Sequence, residues 1–310
     1  MNLRQIGKTD IQVSEVGFGA WQLGNAENWG GPAEKESIQL VHRALDEGCN
    51  LFDSAPPYAQ GESERILGKA LKGRRHEAVI CTKFGYFPDW AVDFSSEGLT
   101  RSIEESLGRL QTDTIDILLM HSPQKQSEFQ NLDTFATLER LKQEGKIRAY
   151  GASIDTSQEI SWLMQNTQSE VVEVLFHILS QGPRSIFPEA KEAGIGFLAK
   201  VPLDSGWLSG KYDAHSTFTG ARSRWSPEQI QERATLVEKV RAIIGDRRMA
   251  MIALQYILGY DVMASVIPGV KNEQQLLGNL EASFAPLDEA VFEQLAAFWT
   301  DEMGETAVPW

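Results

Sequence analysis

The 310-residue chain is poor in cysteine, histidine and positive charge, and each shortage removes a class of protein. Its two cysteines, Cys49 and Cys81, lie in or beside apolar stretches, so no disulfide framework holds the fold. Five histidines, at 42, 76, 121, 177 and 215, show no HxH or HExxH spacing, which leaves a metal-dependent reaction without a sequence basis. Twenty-nine basic residues against 43 acidic ones give a net charge of -14, which argues against nucleic acid and against an anionic membrane as partners. No apolar run is long enough to span a bilayer, and the opening MNLRQIGKTDIQ lacks the apolar core of a signal peptide. A cytoplasmic, reducing setting is therefore expected. No GxGxxG follows the first apolar strand, so a Rossmann nucleotide site has no support. No shift in composition marks a linker, and a single domain over 1–310 is expected.

What is present is alternation. Short β-branched runs predict strands at 16–21, 50–55, 78–83, 115–122, 147–153, 171–176, 195–202 and 264–269. Between them, apolar residues three or four apart predict helices at 36–47, 63–71, 100–110, 133–144, 157–166, 186–193, 249–259 and 272–280. Gly48, Gly145, Gly194 and Gly259 stop four of these. Eight βα units predict an α/β fold, a closed (β/α)8 TIM barrel. Outside the repeat lie residues 3–13 with the turn Lys8-Thr9-Asp10, a long segment 203–229, a last helix at 288–299 and the tail 307–310. The long segment, rich in glycine, serine and aromatics, reads as a lid or a clasp.

Polar groups end three successive apolar strands. Asp53 closes the second, with Tyr58 just beyond it in Asp53-Ser54-Ala55-Pro56-Pro57-Tyr58; Lys83 closes the third and His121 the fourth. Taken singly, each has an ordinary structural role, as a capping acid, a half-buried aromatic, a salt-bridge lysine or a satisfied histidine. Taken in order, at one end of the sheet, they face one rim of a barrel. With the run GESERILGKAL that follows the tyrosine, the chain resembles the aldo-keto reductase superfamily, from Gly17-Phe18-Gly19-Ala20-Trp21 to the region of Gly269.

The resemblance implies a barrel plugged at its base by the N-terminal hairpin and carrying an extra C-terminal helix. It also implies an oxidoreductase that reversibly reduces aldehydes, ketones or sugars by hydride transfer. Tyr58 would be the acid, a phenol with an ordinary pKa of about 10 that Lys83 lowers while Asp53 holds the lysine charged. His121 would orient the carbonyl oxygen. For the cofactor, NADP(H) preferred and NAD(H) possible, the implied contacts are Ser153, Glu173 and Phe176 on strands five and six. Pro202, Leu203, Ser205, Gly206, Leu208, Gly210 and Lys211 would form the pyrophosphate loop, and Gly269, Lys271, Gln275 and Asn279 the adenosine end. The chain departs from the family pattern at Ile154 for an asparagine, Glu173 for a glutamine, Lys200 for a ring-stacking aromatic and Asn272 for a second basic residue. Phe176 and Trp207 are the nearby aromatics that could cover the ring instead.

The implied partner is a small carbonyl or alcohol compound. Loops at the tetrad end supply Trp21, Tyr86 and Trp90 as pocket residues, along with Trp29, Phe87, Trp207 and Trp225, of which about half would only pack the loops. Arg222 and Arg224 would bind an anion or remain solvated. A second reading from the same superfamily is a redox-sensing regulatory subunit like the potassium-channel β-subunits, binding nucleotide with little turnover.

Overall fold

The computed structural model describes residues 1–306; the tail at 307–310 lies outside the described residues. Ten strands are present among the described residues: β1 (Leu3–Gln5), β2 (Gln12–Ser14), β3 (Phe18–Gly19), β4 (Leu51–Asp53), β5 (Val79–Phe84), β6 (Ile115–His121), β7 (Ile147–Ser153), β8 (Val171–Leu175), β9 (Gly196–Lys200) and β10 (Met263–Ile267). The last eight form one parallel sheet in sequential order. Parallel bridges from Val16 to Val266 and from Gly19 to Gly269 join its two edges into a ring. Helices fill the connections, among them Glu62–Ala70, Ser96–Leu110, Ser157–Asn166, Met249–Leu258 and Glu273–Leu280, with Glu289–Asp301 after the barrel.

The segment after 203 departs from expectation. It contains an 18-residue helix, Pro227–Ile244, where the sequence reading extended a loop through Gln229 and assigned no element beyond it. Ser226 caps this helix by accepting from the Gln229 backbone amide, Gln229 caps it reciprocally, and Pro227 occupies the first turn.

Side chains alternate across each strand, and this parity builds the interior. Leu51, Cys81, Ile117, Leu119, Ala149, Val171 and Leu198 fill its lower layers together with Ile6, Ile11 and Val13 of the β1–β2 hairpin. The hairpin therefore plugs the base, each buried aliphatic side chain contributing about 1.5–3 kcal/mol. One polar layer remains toward the C-terminal side of the ring: Asp53, Lys83, His121, Ser153 and Lys200 at or next to strand ends, and Glu173 in the middle of β8, level with Ser153.

Gly151 has no room for a side chain, because a Cβ there would lie 1.7 Å from the carbonyl oxygen of Val171 on β8. Gly151→Ala should separate β7 from β8 and destabilise the fold by about 3 kcal/mol or more. A shift in the urea midpoint measures it; an unchanged midpoint would contradict this packing. No helix among the described residues is long and apolar enough to cross a membrane.

Candidate active site

Five members of the polar layer, Asp53, His121, Ser153, Glu173 and Lys200, line a cavity of about 740 Å³ at the C-terminal rim, with Lys83 buried behind them. Tyr58 reaches it from the β4 connection, where Pro56 and Pro57 restrict φ and the left-handed Ala59 (φ 48°) and Gln60 (φ 56°) turn the chain sharply into the helix Glu62–Ala70. Trp21 stacks on the phenol ring at a centroid distance of 5.4 Å, and His121 meets it edge-on at 5.9 Å. Lys83 Nζ lies 5.5 Å from the ring centroid.

Lys83 is fully buried and holds two carboxylates, Asp53 Oδ1 at 2.5 Å and Glu173 Oε2 at 3.1 Å. Its ammonium also donates to the Ser54 carbonyl at 3.0 Å. Burial pulls the Lys83 pKa down, but the two carboxylates outweigh it and hold the group well above its ordinary value. Burial raises Asp53, and the neighbouring charge of Glu173 adds to that rise. Glu173 goes the other way: Lys83 and Lys200 overcome its burial and hold it below the usual carboxylate range. The ionised partner of Lys83 is thus Glu173 first, and Asp53 takes up a proton more readily.

The phenol does not follow expectation. Burial pushes Tyr58 above its ordinary value and Lys83 pulls it back only partly, with both carboxylates opposing the lysine. These side chains alone therefore keep Tyr58 protonated, a loaded donor rather than a poised phenolate. Burial, then Lys83 and Lys200, hold His121 well below its ordinary value, so the imidazole is neutral; its Nδ1 is buried without a partner.

Asp53, Cys81 and Glu173 also lie close enough together to suggest a metal cluster. The Lys83 ammonium already occupies the position between the two carboxylates where a cation would bind.

From the tetrad the cavity runs along Ser153, Glu173 and Lys200 to Pro202, Leu203, Ser205, Gly206 and Lys211 of the long segment. It ends against Gly269, Lys271, Gln275 and Asn279. Asp204 anchors the long segment by accepting from Arg233 Nε at 3.2 Å, both residues being buried. Around that anchor Val201, Asp204, Ser205 and Gly206 all have positive φ, and the amides of Asp204 and Gly206 close the turn onto the Val201 and Leu203 carbonyls. Farther on, Gly220 packs against the Asn28 carbonyl and the Arg222 guanidinium lies 4.7 Å over the Trp29 ring, so the segment crosses the cavity as a strap.

Burial and the like charges of Arg222 and Lys211 push the Lys271 ammonium below its ordinary value, and no carboxylate offsets them. Converging cations beside the first turn of the helix Glu273–Leu280 fit a phosphate-bearing ligand. This donor set and the elongated cavity suit a nicotinamide dinucleotide.

Three implied cofactor contacts are absent from the cavity wall. Phe176 is fully buried among Phe187, Tyr256 and Tyr260, one residue out of phase with Glu173 and Leu175, which do face the cavity. Leu208 is buried in the core, and Gly210 only closes the turn Asp204–Ser209. Trp207 is buried as well, under Tyr212, Phe218 and Trp225. Neither Phe176 nor Trp207 can therefore cover a ring at the tetrad.

Of the rim aromatics, Trp21, Trp29, Tyr86 and Trp90 line the cavity, while Phe87 and Trp225 are buried away from it. Arg222 lines it too. The sequence reading passed over Gln22, whose buried Oε1 has no partner, and Asp155, which pairs with Lys200 at 3.0 Å. Asp155 lies two residues past Ser153, a parity signal that was available.

Residues 15–300 match the aldo/keto reductase family. The chain belongs to that family of oxidoreductases. An L-galactose dehydrogenase of Arabidopsis thaliana is 32% identical over 91% of this chain and 88% of its own length. An NADH-specific methylglyoxal reductase of Escherichia coli is 28% identical over 92% of this chain and 94% of its own. The holo form of an aldo-keto reductase from Bacillus halodurans superposes with a TM-score of 0.79 at 30% identity, covering 95% of this chain and 96% of the other. This aldo/keto reductase thus shares its eight-stranded barrel with a solved relative over nearly its full length.

Proposed function

We propose that this aldo/keto reductase is an NADP(H)-dependent enzyme that reversibly reduces aldehydes, ketones or sugars to alcohols, with Tyr58 as the proton donor. The observation that carries this reading is continuity: a single cavity joins the Tyr58, His121, Lys83 and Asp53 cluster to the Lys211, Arg222 and Lys271 cations. A nicotinamide cofactor bound along it would supply the hydride. Tyr58 places its hydroxyl proton beside the growing charge on the carbonyl oxygen, and neutral His121 fixes that oxygen from the other side. Lys83 stabilises the phenolate left behind, itself held by Asp53 and Glu173. Trp21, Trp29, Tyr86 and Trp90 present apolar faces to a neutral carbonyl compound or sugar ring.

The preference for the phosphorylated cofactor rests on Lys271 with Arg222 and Lys211. Asn272 does not add a cation; its side chain caps the following helix by accepting from the Gln275 amide at 2.9 Å. Lys271→Ala should weaken NADPH binding roughly 10- to 100-fold, the worth of a lost charge-assisted contact, and leave NADH nearly unchanged. Equal losses for both nucleotides would contradict a 2'-phosphate contact.

The test of the reading as a whole is a titration with NADPH and NADH followed by tryptophan fluorescence, then by nicotinamide absorbance after addition of a reactive aldehyde. Tighter binding of NADPH and aldehyde-dependent oxidation are expected. Binding with negligible oxidation across a panel of aldehydes, ketones and sugars would favour the regulatory-subunit reading, and no binding of either nucleotide would overturn both.

A further inference from the structure

Glu173 and Lys200 are two opposite charges in the cavity wall; proton transfer uses Glu173 only as a partner of Lys83 and does not use Lys200. Glu173 is 2% exposed and the Lys200 side chain 18%. One hydroxyl joins them: Ser153 Oγ donates to Glu173 Oε1 at 3.1 Å and accepts from Lys200 Nζ at 2.9 Å. Glu173 Oε2 continues to Lys83, and Lys200 continues to Asp155 at the mouth. Three carboxylates, Asp53, Glu173 and the more exposed Asp155, thus stand against the two ammonium groups of Lys83 and Lys200.

A nicotinamide ring changes its own charge in the reaction. The oxidised ring is a cation and the reduced ring is neutral, so an uncompensated charge in the wall acts on one form and not on the other. A dinucleotide with its phosphates at Lys211, Arg222 and Lys271 and its reacting carbon near Tyr58 and His121 would lay its ring against the stretch of wall between them, which Ser153, Glu173 and Lys200 supply. Buried charges at such range interact far more strongly than in water.

We propose that Glu173 and Lys200 set the relative affinity for the two redox forms of the cofactor, Glu173 favouring the oxidised ring and Lys200 the reduced one. This rests on the nucleotide-binding reading above. The pair is a balance in which removal of either member tips the site in a known direction. Because only the difference between the two forms matters, the effect is separable from any general loss of fit.

Dissociation constants for NADP+ and NADPH, measured by tryptophan fluorescence at equilibrium, test it without turnover. Glu173→Gln should raise the ratio of the NADP+ to the NADPH constant about tenfold or more, and Lys200→Gln should lower it by a similar factor. The double variant should return near the wild-type ratio. Equal changes for both forms, or a shift in the same direction in both single variants, would overturn the proposal while leaving the nucleotide site standing. Should Glu173→Gln fail to fold, Lys200→Gln, at the more exposed of the two side chains, decides alone by the sign of its shift. Failure of the wild type to bind either nucleotide would overturn the function and this proposal together.

Discussion

Tyr58→Phe is expected to lower turnover with any aldehyde by roughly 10²- to 10⁴-fold, the range of a positioned general acid, while NADPH binding stays unchanged. The substitution keeps the ring stacked on Trp21 at 5.4 Å and removes only the hydroxyl. Burial holds that hydroxyl in its protonated form, so the proton lost is one the native side chain carries at neutral pH. Neutral His121 cannot replace it readily, since burial and two nearby ammonium groups oppose its protonation. Paired kcat and NADPH-binding measurements give the result; near-wild-type kcat would place the acid elsewhere.

Glu64→Ala should cost about 3–5 kcal/mol of stability, the loss typical of breaking one side of a buried ion pair. Glu64 is fully buried inside the run that follows Tyr58. It accepts from Thr82 Oγ1 at 2.6 Å and from Arg109 Nε at 2.6 Å, with Ser106 also on its second oxygen at 3.3 Å. One carboxylate thus ties the helix Glu62–Ala70 to β5 and to the helix Ser96–Leu110. Its removal takes the nearest carboxylate from Arg109, whose side chain is only 10% exposed, and leaves it Glu105 at 3.4 Å and the Ser106 hydroxyl at 3.0 Å. Thr82 adjoins Lys83, so the loss should also loosen the lysine beneath the phenol. Chemical unfolding measures the stability; replacing Glu64 and Arg109 together by apolar residues should recover part of it. A wild-type midpoint for Glu64→Ala would show that the pair contributes nothing.

Much of this architecture was legible because period and punctuation agreed. The strand 147–153 and the helix 157–166 fall where the β-branched run and the apolar spacing place them, and the Thr156 side chain caps the helix. The helix Pro227–Ile244 was not legible as a face, because it buries Arg233 along with Leu236 and Val240, and a buried arginine reads as surface. Its cap, Ser226-Pro227-Glu228-Gln229, carried the missing signal. Phe176 shows a different failure. Proximity in sequence suggested a ring cover, but strand parity sends residue 176 outward once Glu173 and Leu175 face in. Pairing across the cavity was beyond any local pattern: Ser153 between Glu173 and Lys200 joins three strands.

Hydride passing directly from nicotinamide to carbonyl inside this cavity would carry its isotope into the alcohol. NADPH carrying two deuterium atoms at the nicotinamide C4 would be incubated with the protein and a reactive aldehyde, and the alcohol analysed by mass spectrometry. One deuterium on the carbinol carbon per alcohol formed is the expected result. An alcohol without deuterium, or no alcohol despite bound NADPH, would contradict the assignment.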